Sequence, residues 1–465
     1  MERITILKLY ENDYYKTMEE GQKIKICGWI KNNRKYKDRG FLEINDGTIF
    51  NSVQVVYEKE LISNFNNITS QFIGASLEIE GILVKTPNAK QPFEILAENI
   101  KVEGESSEKY PLQKKGHSME YLRTIPHLRV RTNFFNAVFR IRSEMAYSIH
   151  KYFNEKGYVY INTPMFTASD CEGAGEIFRV TTLDMNNLPK DSQGKIDNSK
   201  DFFGRKVNLA VSGQLEAEAM AMAFGNVYTF GPNFRAENSN TTRHAAEFWM
   251  LEAEMAFYNM DQMMVVAEDL TKYIINHVLK ECRIEMEYLD KVTKKNTIEK
   301  LEKVVSSMFP RIKYEDAIKI LSKVQDKFKN KVYFGCDLAS EHERYLSEVY
   351  FNSPVFVTNY PRDVKPFYMK LDNNKITVSA TDCLFPGIGE IIGASQREES
   401  LEILIDRMKE LDMNFDDYED YLDLRRYGTV IHSGFGIGFE RLVMYITGVS
   451  NIRDSILYPR TPGNI

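Results

Sequence analysis

The 465-residue chain has little cysteine, no long apolar run and no dominant sign of charge. Cys27, Cys171, Cys282, Cys336 and Cys383 are odd in number and far apart, with no Cys-x-x-Cys pair. That spacing argues against a disulfide framework and against a thiolate zinc site. Nowhere do about 18 uninterrupted apolar residues occur, so no membrane-spanning helix is expected. Residues Met1 to Thr5 hold no basic segment leading into an apolar one, and a cytoplasmic protein is the expectation. Lys and Arg total 60 against 66 acids, a net charge of -6. Nucleic acid is therefore not advertised by the chain as a whole and would need a local basic face. What is present is ordinary for a globular protein: 43% apolar and 27% charged residues, which excludes collagen, coiled coil and wholesale disorder. The length predicts about three domains of roughly 150 residues, or two when one is a large mixed sheet.

From Lys23 to about Val102 the pattern has period two. The runs Lys23 to Ile26, Phe41 to Ile44, Val53 to Val56, Ser76 to Ile79 and Phe93 to Leu96 read as half-buried strands. Turn residues separate them at Gly40, Asp46-Gly47, Gly81 and Pro87-Asn88. This predicts a β-barrel of OB type over residues 1–105. A small barrel without any ligand fits the same pattern. Periodicity then lapses, which predicts a hinge over residues 106–130. Phe134, Val138, Ile141, Met145, Ile149 and Tyr152 recur every three or four residues and mark an amphipathic helix. A strand from Tyr158 to Ile161 follows, closed by Pro164. Met263, Val266, Leu270, Ile274 and Val278 form a second helical stripe, and a polar helical insertion is expected around residues 285–335. The acids from Asp412 to Asp423 read as a solvated helix-loop face.

Three clusters suggest chemistry. Phe234-Arg235-Ala236-Glu237, a polar loop with Arg243-His244, and Glu247 to Glu252 describe a hairpin with arginines on one side. Guanidinium forks suit phosphate oxygens and an aromatic face suits a purine. A plain Arg235–Glu237 pair across an edge strand fits equally well. Gly434 to Leu442 places glycines before a helix starting near Phe439, with Arg441 in its first turn. It has neither the Gly-Lys-Ser/Thr of a P-loop nor the setting of a Rossmann turn. Asp382 and Glu390 flank Pro386 to Gly389, with Arg397 seven residues on. Two carboxylates beside phosphates are a usual magnesium arrangement, and also a common solvated loop.

Together these clusters resemble the class II aminoacyl-tRNA synthetases, in the subgroup with the aspartyl, asparaginyl and lysyl enzymes. The resemblance covers nearly the whole chain. It is closest to the bacterial-type asparaginyl-tRNA synthetases, through Thr167 to Glu176, Val211-Ser212-Gly213-Gln214-Leu215, Arg235 to Thr241 and Asn451 to Asp454. It implies an α+β chain in which the N-terminal OB-type barrel precedes a catalytic domain, residues 131–465. That core would be an antiparallel sheet of roughly six or seven strands flanked by helices.

The resemblance also implies roles. Arg235 would hold the α-phosphate of ATP, Phe248 would stack on adenine, and Arg441 would cover the other adenine face and reach the γ-phosphate. Glu237, Arg243 and His244 complete the implied ATP site, and Asp382 with Glu390 would hold Mg2+. Glu172, Gln214 and Glu252 would gather the α-amino group, with His432 lining the amino-acid pocket. Aspartyl enzymes carry a lysine where this chain has Ala217, so a carboxylate substrate would lack its second cation. Arg397 is therefore expected to donate to the side-chain carbonyl of L-asparagine, and Glu218 to accept from its amide nitrogen. In the barrel, Arg34, Phe41 and Gln54 would contact the anticodon of asparagine tRNA, beside a basic loop from Lys31 to Arg39. The segment from Phe134 to Pro164 resembles a homodimer interface. An aspartyl enzyme of relaxed specificity and a non-catalytic RNA-binding paralogue are the other readings.

Overall fold

The computed structural model describes residues 1–465 except 20, 90, 170–175 and 240. It forms two compact units, Met1–Ala137 and Val138–Ile465.

In the first unit, β1 (Lys23–Lys35), β2 (Arg39–Asn45), β3 (Val53–Glu58), β4 (Ser76–Lys85) and β5 (Phe93–Gly104) close a barrel in the order β1-β2-β3-β5-β4. Alternate residues point inward, so Ile26, Leu42, Val55, Ile79 and Ile95 are fully buried. One expectation changes here. Lys31, Arg34 and Lys35 lie on β1 itself, not in a loop, because β1 and β2 stay paired out to Lys35 and Gly40. The stretch read as a hinge carries two short helices, Met119–Thr124 and Pro126–Arg129, within the same unit. Arg129 there is fully buried, with its guanidinium 4.4 Å from the centre of the Phe135 ring.

The second unit contains β6 (Val159–Tyr160), β7 (Phe166–Thr167), β8 (Arg179–Val180), β9 (Val207–Leu209), β10 (Asn226–Phe234), β11 (Glu247–Ala256), β12 (Arg311–Lys313), β13 (Val355–Pro361), β14 (Thr377–Phe385), β15 (Gly389–Gln396) and β16 (His432–Gly438). Its main sheet has eight strands in the order β12-β13-β14-β15-β16-β11-β10-β6. The central six are antiparallel as expected, and a short parallel strand is added at each edge, β12 on β13 and β6 on β10. β7, β9 and β8 make a separate small sheet.

Helices cover this sheet. Met260–Glu281 starts at an Asn259–Gln262 capping box and buries Met263, Leu270, Ile274 and Val278 of the foreseen stripe. The insertion supplies three helices, Arg283–Thr293, Thr297–Ser306 and Tyr314–Ser322. Tyr314, Ala317 and Leu321 of the last pack in one apolar cluster with Val355 and Val357 of β13. The acidic stretch is corrected: its acids stay at the surface, but helix Glu419–Arg426 buries Tyr421, Leu422 and Arg425. Its apolar side packs with Phe367, Leu404 and Met408.

Candidate active site

The hairpin β10–β11 shows how sequence becomes a site. In β11 successive side chains alternate between faces, so Phe248, Met250, Glu252 and Glu254 all project to one side. All four line a cavity of about 420 Å³ over the sheet. Across from them β16 offers Gly438, Gly436 and Gly434 as the partners of Met250, Glu252 and Glu254. A Cβ on Gly434 would stand 2.2 Å from the Glu254 carboxylate carbon, so the glycine leaves the room this acid occupies. The glycine run before the last helix thus opens a sheet floor. That helix, Phe439–Thr447, begins where expected and carries Arg441 into the cavity.

One end of the cavity gathers basic and aromatic side chains. Arg235, Glu237, Arg243, His244, Phe248 and Arg441 all line it. The Arg235 guanidinium lies 5.5 Å from the centre of the Phe248 ring. Arg243 donates to the Ile388 carbonyl oxygen and to the Ser340 hydroxyl. His244 Nδ1 lies 2.5 Å from the Thr241 hydroxyl oxygen, and burial followed by Arg441 holds its imidazole below the usual range. Arg441 Nη1 donates to the Glu390 carbonyl oxygen at 3.0 Å and stands 3.8 Å from its carboxylate.

The expected pair, Asp382 and Glu390, both line this end, and a third acid stands beside them. Lys365 donates to both oxygens of Asp382, so that carboxylate already has a cation. Glu343, which no sequence motif marked, lines the cavity and accepts from the Glu390 backbone N–H at 3.4 Å. Burial, then repulsion from Glu390 and Asp382, pushes its carboxyl up to about 7. Among the described residues no group of three or more His, Cys, Asp or Glu is arranged as a metal cage. Glu343 and Glu390 do form a hard, crowded carboxylate pair, the donor type that suits a magnesium ion completed by phosphate oxygens.

The other end is built for a small polar group. Glu252 accepts from the Ser212 hydroxyl and, at 3.0 Å, from the Gly213 N–H, which fixes it at the start of helix Gln214–Phe224. Gln214 lines the cavity and donates to Glu218 at 3.0 Å. Arg397 lines it too, nearly fully buried. Its Nε and Nη2 grip Glu254, the first at 3.2 Å, and Nη1 donates to the Ser395 hydroxyl at 2.7 Å. Burial, only partly offset by Arg397 and reinforced by Glu218, pushes Glu254 up to about 7.

Three expectations change at this end. Glu218 is fully buried, yet neither it nor His432 reaches the cavity wall. Glu252 and Glu254 do, and the signal for Glu254 was the alternation along β11 opposite glycine. Ala217 packs with Ala221, Val227 and Ile161 rather than against the cavity. Glu172 lies outside the described residues. In the barrel, by contrast, Arg34, Phe41 and Gln54 do come together. Arg34 Nη2 donates to Gln54 Oε1 at 2.7 Å and the guanidinium sits 5.3 Å from the Phe41 ring centre.

Comparison with known proteins agrees with this geometry. The family model for class II tRNA synthetases (D, K and N) matches residues 118–462. The chain belongs to this family. Within it, the chain falls among the asparagine–tRNA ligases. It is 56% identical over 465 residues to the asparagine–tRNA ligase of Bacillus cytotoxicus, covering all of this chain and 99% of that one. To that of Clostridium tetani it is 54% identical over 464 residues, with 100% and 99% covered. The model for an OB-fold nucleic acid binding domain matches residues 24–103. Among solved structures, asparaginyl-tRNA synthetase from Pyrococcus horikoshii complexed with asparaginyl-adenylate superposes with a TM-score of 0.86 at 32% identity, covering 100% and 99% of the two chains. The asparaginyl-adenylate complex of the Entamoeba histolytica enzyme gives 0.80 at 26% identity, covering 97% and 98%.

Proposed function

We propose that this chain ligates L-asparagine to its cognate tRNA, using ATP and passing through an asparaginyl-adenylate. The observation that carries the substrate choice is the Arg397–Glu254 pair on the cavity wall. An uncharged carboxamide answers both partners, its carbonyl accepting from Arg397 and its NH2 donating to Glu254. An aspartate carboxylate would meet Glu254 with like charge and leave no donor for it. The aspartyl reading is disfavoured on that ground.

The chemistry needs no protein nucleophile. The asparagine carboxylate attacks the α-phosphorus, the bond to pyrophosphate breaks, and a terminal hydroxyl of tRNA then attacks the acyl carbon and releases AMP. Arg235 is assigned to the α-phosphate, where it offsets charge developing on the phosphoryl oxygens. Phe248 is assigned to adenine, with Arg441 over its other face, and Glu237, Arg243 and His244 to the rest of ATP. Glu252 and Gln214 are assigned to the α-ammonium group, which lines the carboxylate up for attack. Asp382 and Glu390, joined by Glu343, would hold Mg2+; when bound, the ion would neutralise phosphate charge.

The barrel cluster of Arg34, Phe41 and Gln54 is assigned to the anticodon, Phe41 stacking on a base and Gln54 reading an edge. A homodimer is supported by the exposed apolar side chains of Tyr147, Val159 and Tyr160 in the segment expected to meet a second copy. Among the described residues no helix is long and apolar enough to cross a membrane, and we assign the enzyme to the cytoplasm, where tRNA is charged.

The test is ATP–pyrophosphate exchange with asparagine and aspartate side by side. Exchange should follow asparagine; equal or greater exchange with aspartate would overturn the assignment.

A further inference from the structure

A second cavity, of about 530 Å³, adjoins the nucleotide end, and Arg243 lines both spaces. Its guanidinium donates to the Ile388 carbonyl oxygen and to the Ser340 hydroxyl, and both of those residues line the second cavity. Arg243 thus stands in the partition. Among the described residues that line the second cavity four are cations, Arg243, Lys295, Lys300 and Arg344, against one acid, Glu341.

That acid is already committed. Glu341 accepts from the Asn330 backbone N–H at 2.7 Å and from its side-chain amide at 2.9 Å, and the backbone bond holds its carboxyl below the usual range. Arg344 donates through Nε to Glu348 at 2.8 Å, which leaves its Nη atoms for another acceptor. Lys295 donates to the Gly448 carbonyl oxygen at 2.7 Å, a neutral partner. Burial and then Lys300 pull its ammonium below the usual lysine range, and no carboxylate offsets either effect. The two lysines sit in each other's field, so an anion beside them would be stabilised.

The cations continue into the first cavity. Burial holds Arg243 below the usual arginine range; Glu343 opposes this, while Arg441 from the nucleotide cavity and Arg344 from the second add to it. Arg441, Arg243 and Arg344 therefore make a series of guanidiniums that leads out of the nucleotide end.

We propose that the second cavity is the exit site for pyrophosphate, holding the product on Lys295, Lys300 and Arg344 as it leaves past Arg243. The inference rests on the reading of the first cavity as an ATP site. At the α-phosphorus the attacking and leaving oxygens stand in line, so pyrophosphate departs away from the amino-acid end. Its concentrated charge needs cationic donors at each stage. A nucleic-acid strand would instead need a groove that tracks its backbone.

Exchange reads this site, because added pyrophosphate must enter by the path along which the product leaves. The variants are Lys295→Gln, Lys300→Gln and the two combined, in the full-length chain; both lysines are exposed, so folding is spared. The pyrophosphate KM should rise by about threefold for each and about tenfold for the double variant, the scale of exposed charge contacts. The ATP and asparagine KM should stay within about twofold. Calorimetric titration with magnesium pyrophosphate reads the site without turnover, and the double variant should bind about tenfold more weakly than the parent.

A parent-like pyrophosphate KM and affinity in the double variant would overturn the proposal. So would pyrophosphate and ATP KM rising together, or a raised tRNA KM in aminoacylation with the pyrophosphate KM unchanged, which would make the cavity an RNA site. A parent without asparagine-dependent exchange would instead sink the reading of the first cavity, while the titration would still decide the lysine site, so the two failures are distinct.

Discussion

Lys365 donates to both carboxylate oxygens of Asp382, at 2.9 and 2.7 Å. Both side chains are half-buried, and the Tyr360 hydroxyl is a second hydrogen-bond partner of the acid. Lys365→Met should destabilise the chain by about 1–3 kcal/mol, the usual cost of leaving a polar group without one of its partners. Thermal unfolding in a chelator reads this. Added Mg2+ should recover part of the loss if Asp382 can serve as a ligand. An unchanged melting temperature would show that Asp382 does not rely on Lys365.

Glu254 gives the pocket a pH signature. Its carboxyl is pushed up to about 7, above the 4.5 of an exposed glutamate, by burial first. The folded chain therefore keeps this proton where the unfolded chain has lost it, and stability falls as pH rises between those two values. Function runs the other way, because only the carboxylate accepts from the amide NH2. The kcat/KM for asparagine should fall below about pH 7, approaching tenfold per pH unit. Glu254→Gln should abolish that inflection. A profile in Glu254→Gln identical to the parent's would remove Glu254 from the amide site.

At the nucleotide end, Arg235→Leu should lower kcat by about 10²–10³-fold, the usual loss when a donor to developing charge is removed. Arg441→Leu should raise the ATP KM more than the asparagine KM. Steady-state exchange kinetics separate the two, and parent-like kcat in Arg235→Leu would rule out its contact with the reacting phosphate.

The barrel should act on RNA alone. Phe41→Ala removes a ring that Arg34 stacks against. It should weaken aminoacylation by about 1–3 kcal/mol in tRNA binding, the usual value of one stacked base. Asparagine-dependent exchange without tRNA should be spared. Equal damage to both reactions would contradict this division of labour.

Much of this was legible in the residues. Period-two runs placed all five barrel strands, although pairing extends β1 nine residues beyond Ile26, to Lys35. The hairpin and the glycine run before Phe439 lie where their patterns put them. What escaped was long-range. Glu343 and Glu390 are distant in sequence, and nothing local to Glu343 marks its face. Arg425 and Tyr421 sat in an acidic stretch whose average charge hid the buried side. Glu218 lies in the neighbourhood that helix position gave it, one hydrogen bond from the lining residue Gln214.

Strand β11 acts as a ruler. Phe248 and Glu254, which both line the cavity, sit on one continuous strand, about 20 Å apart in an extended chain. Inserting or deleting a single residue between them would turn the residues beyond the change to the opposite face. Adenine stacking and amide selection would then lose their common frame together. The register of this strand therefore tolerates exchange of one side chain for another far better than a change in its length.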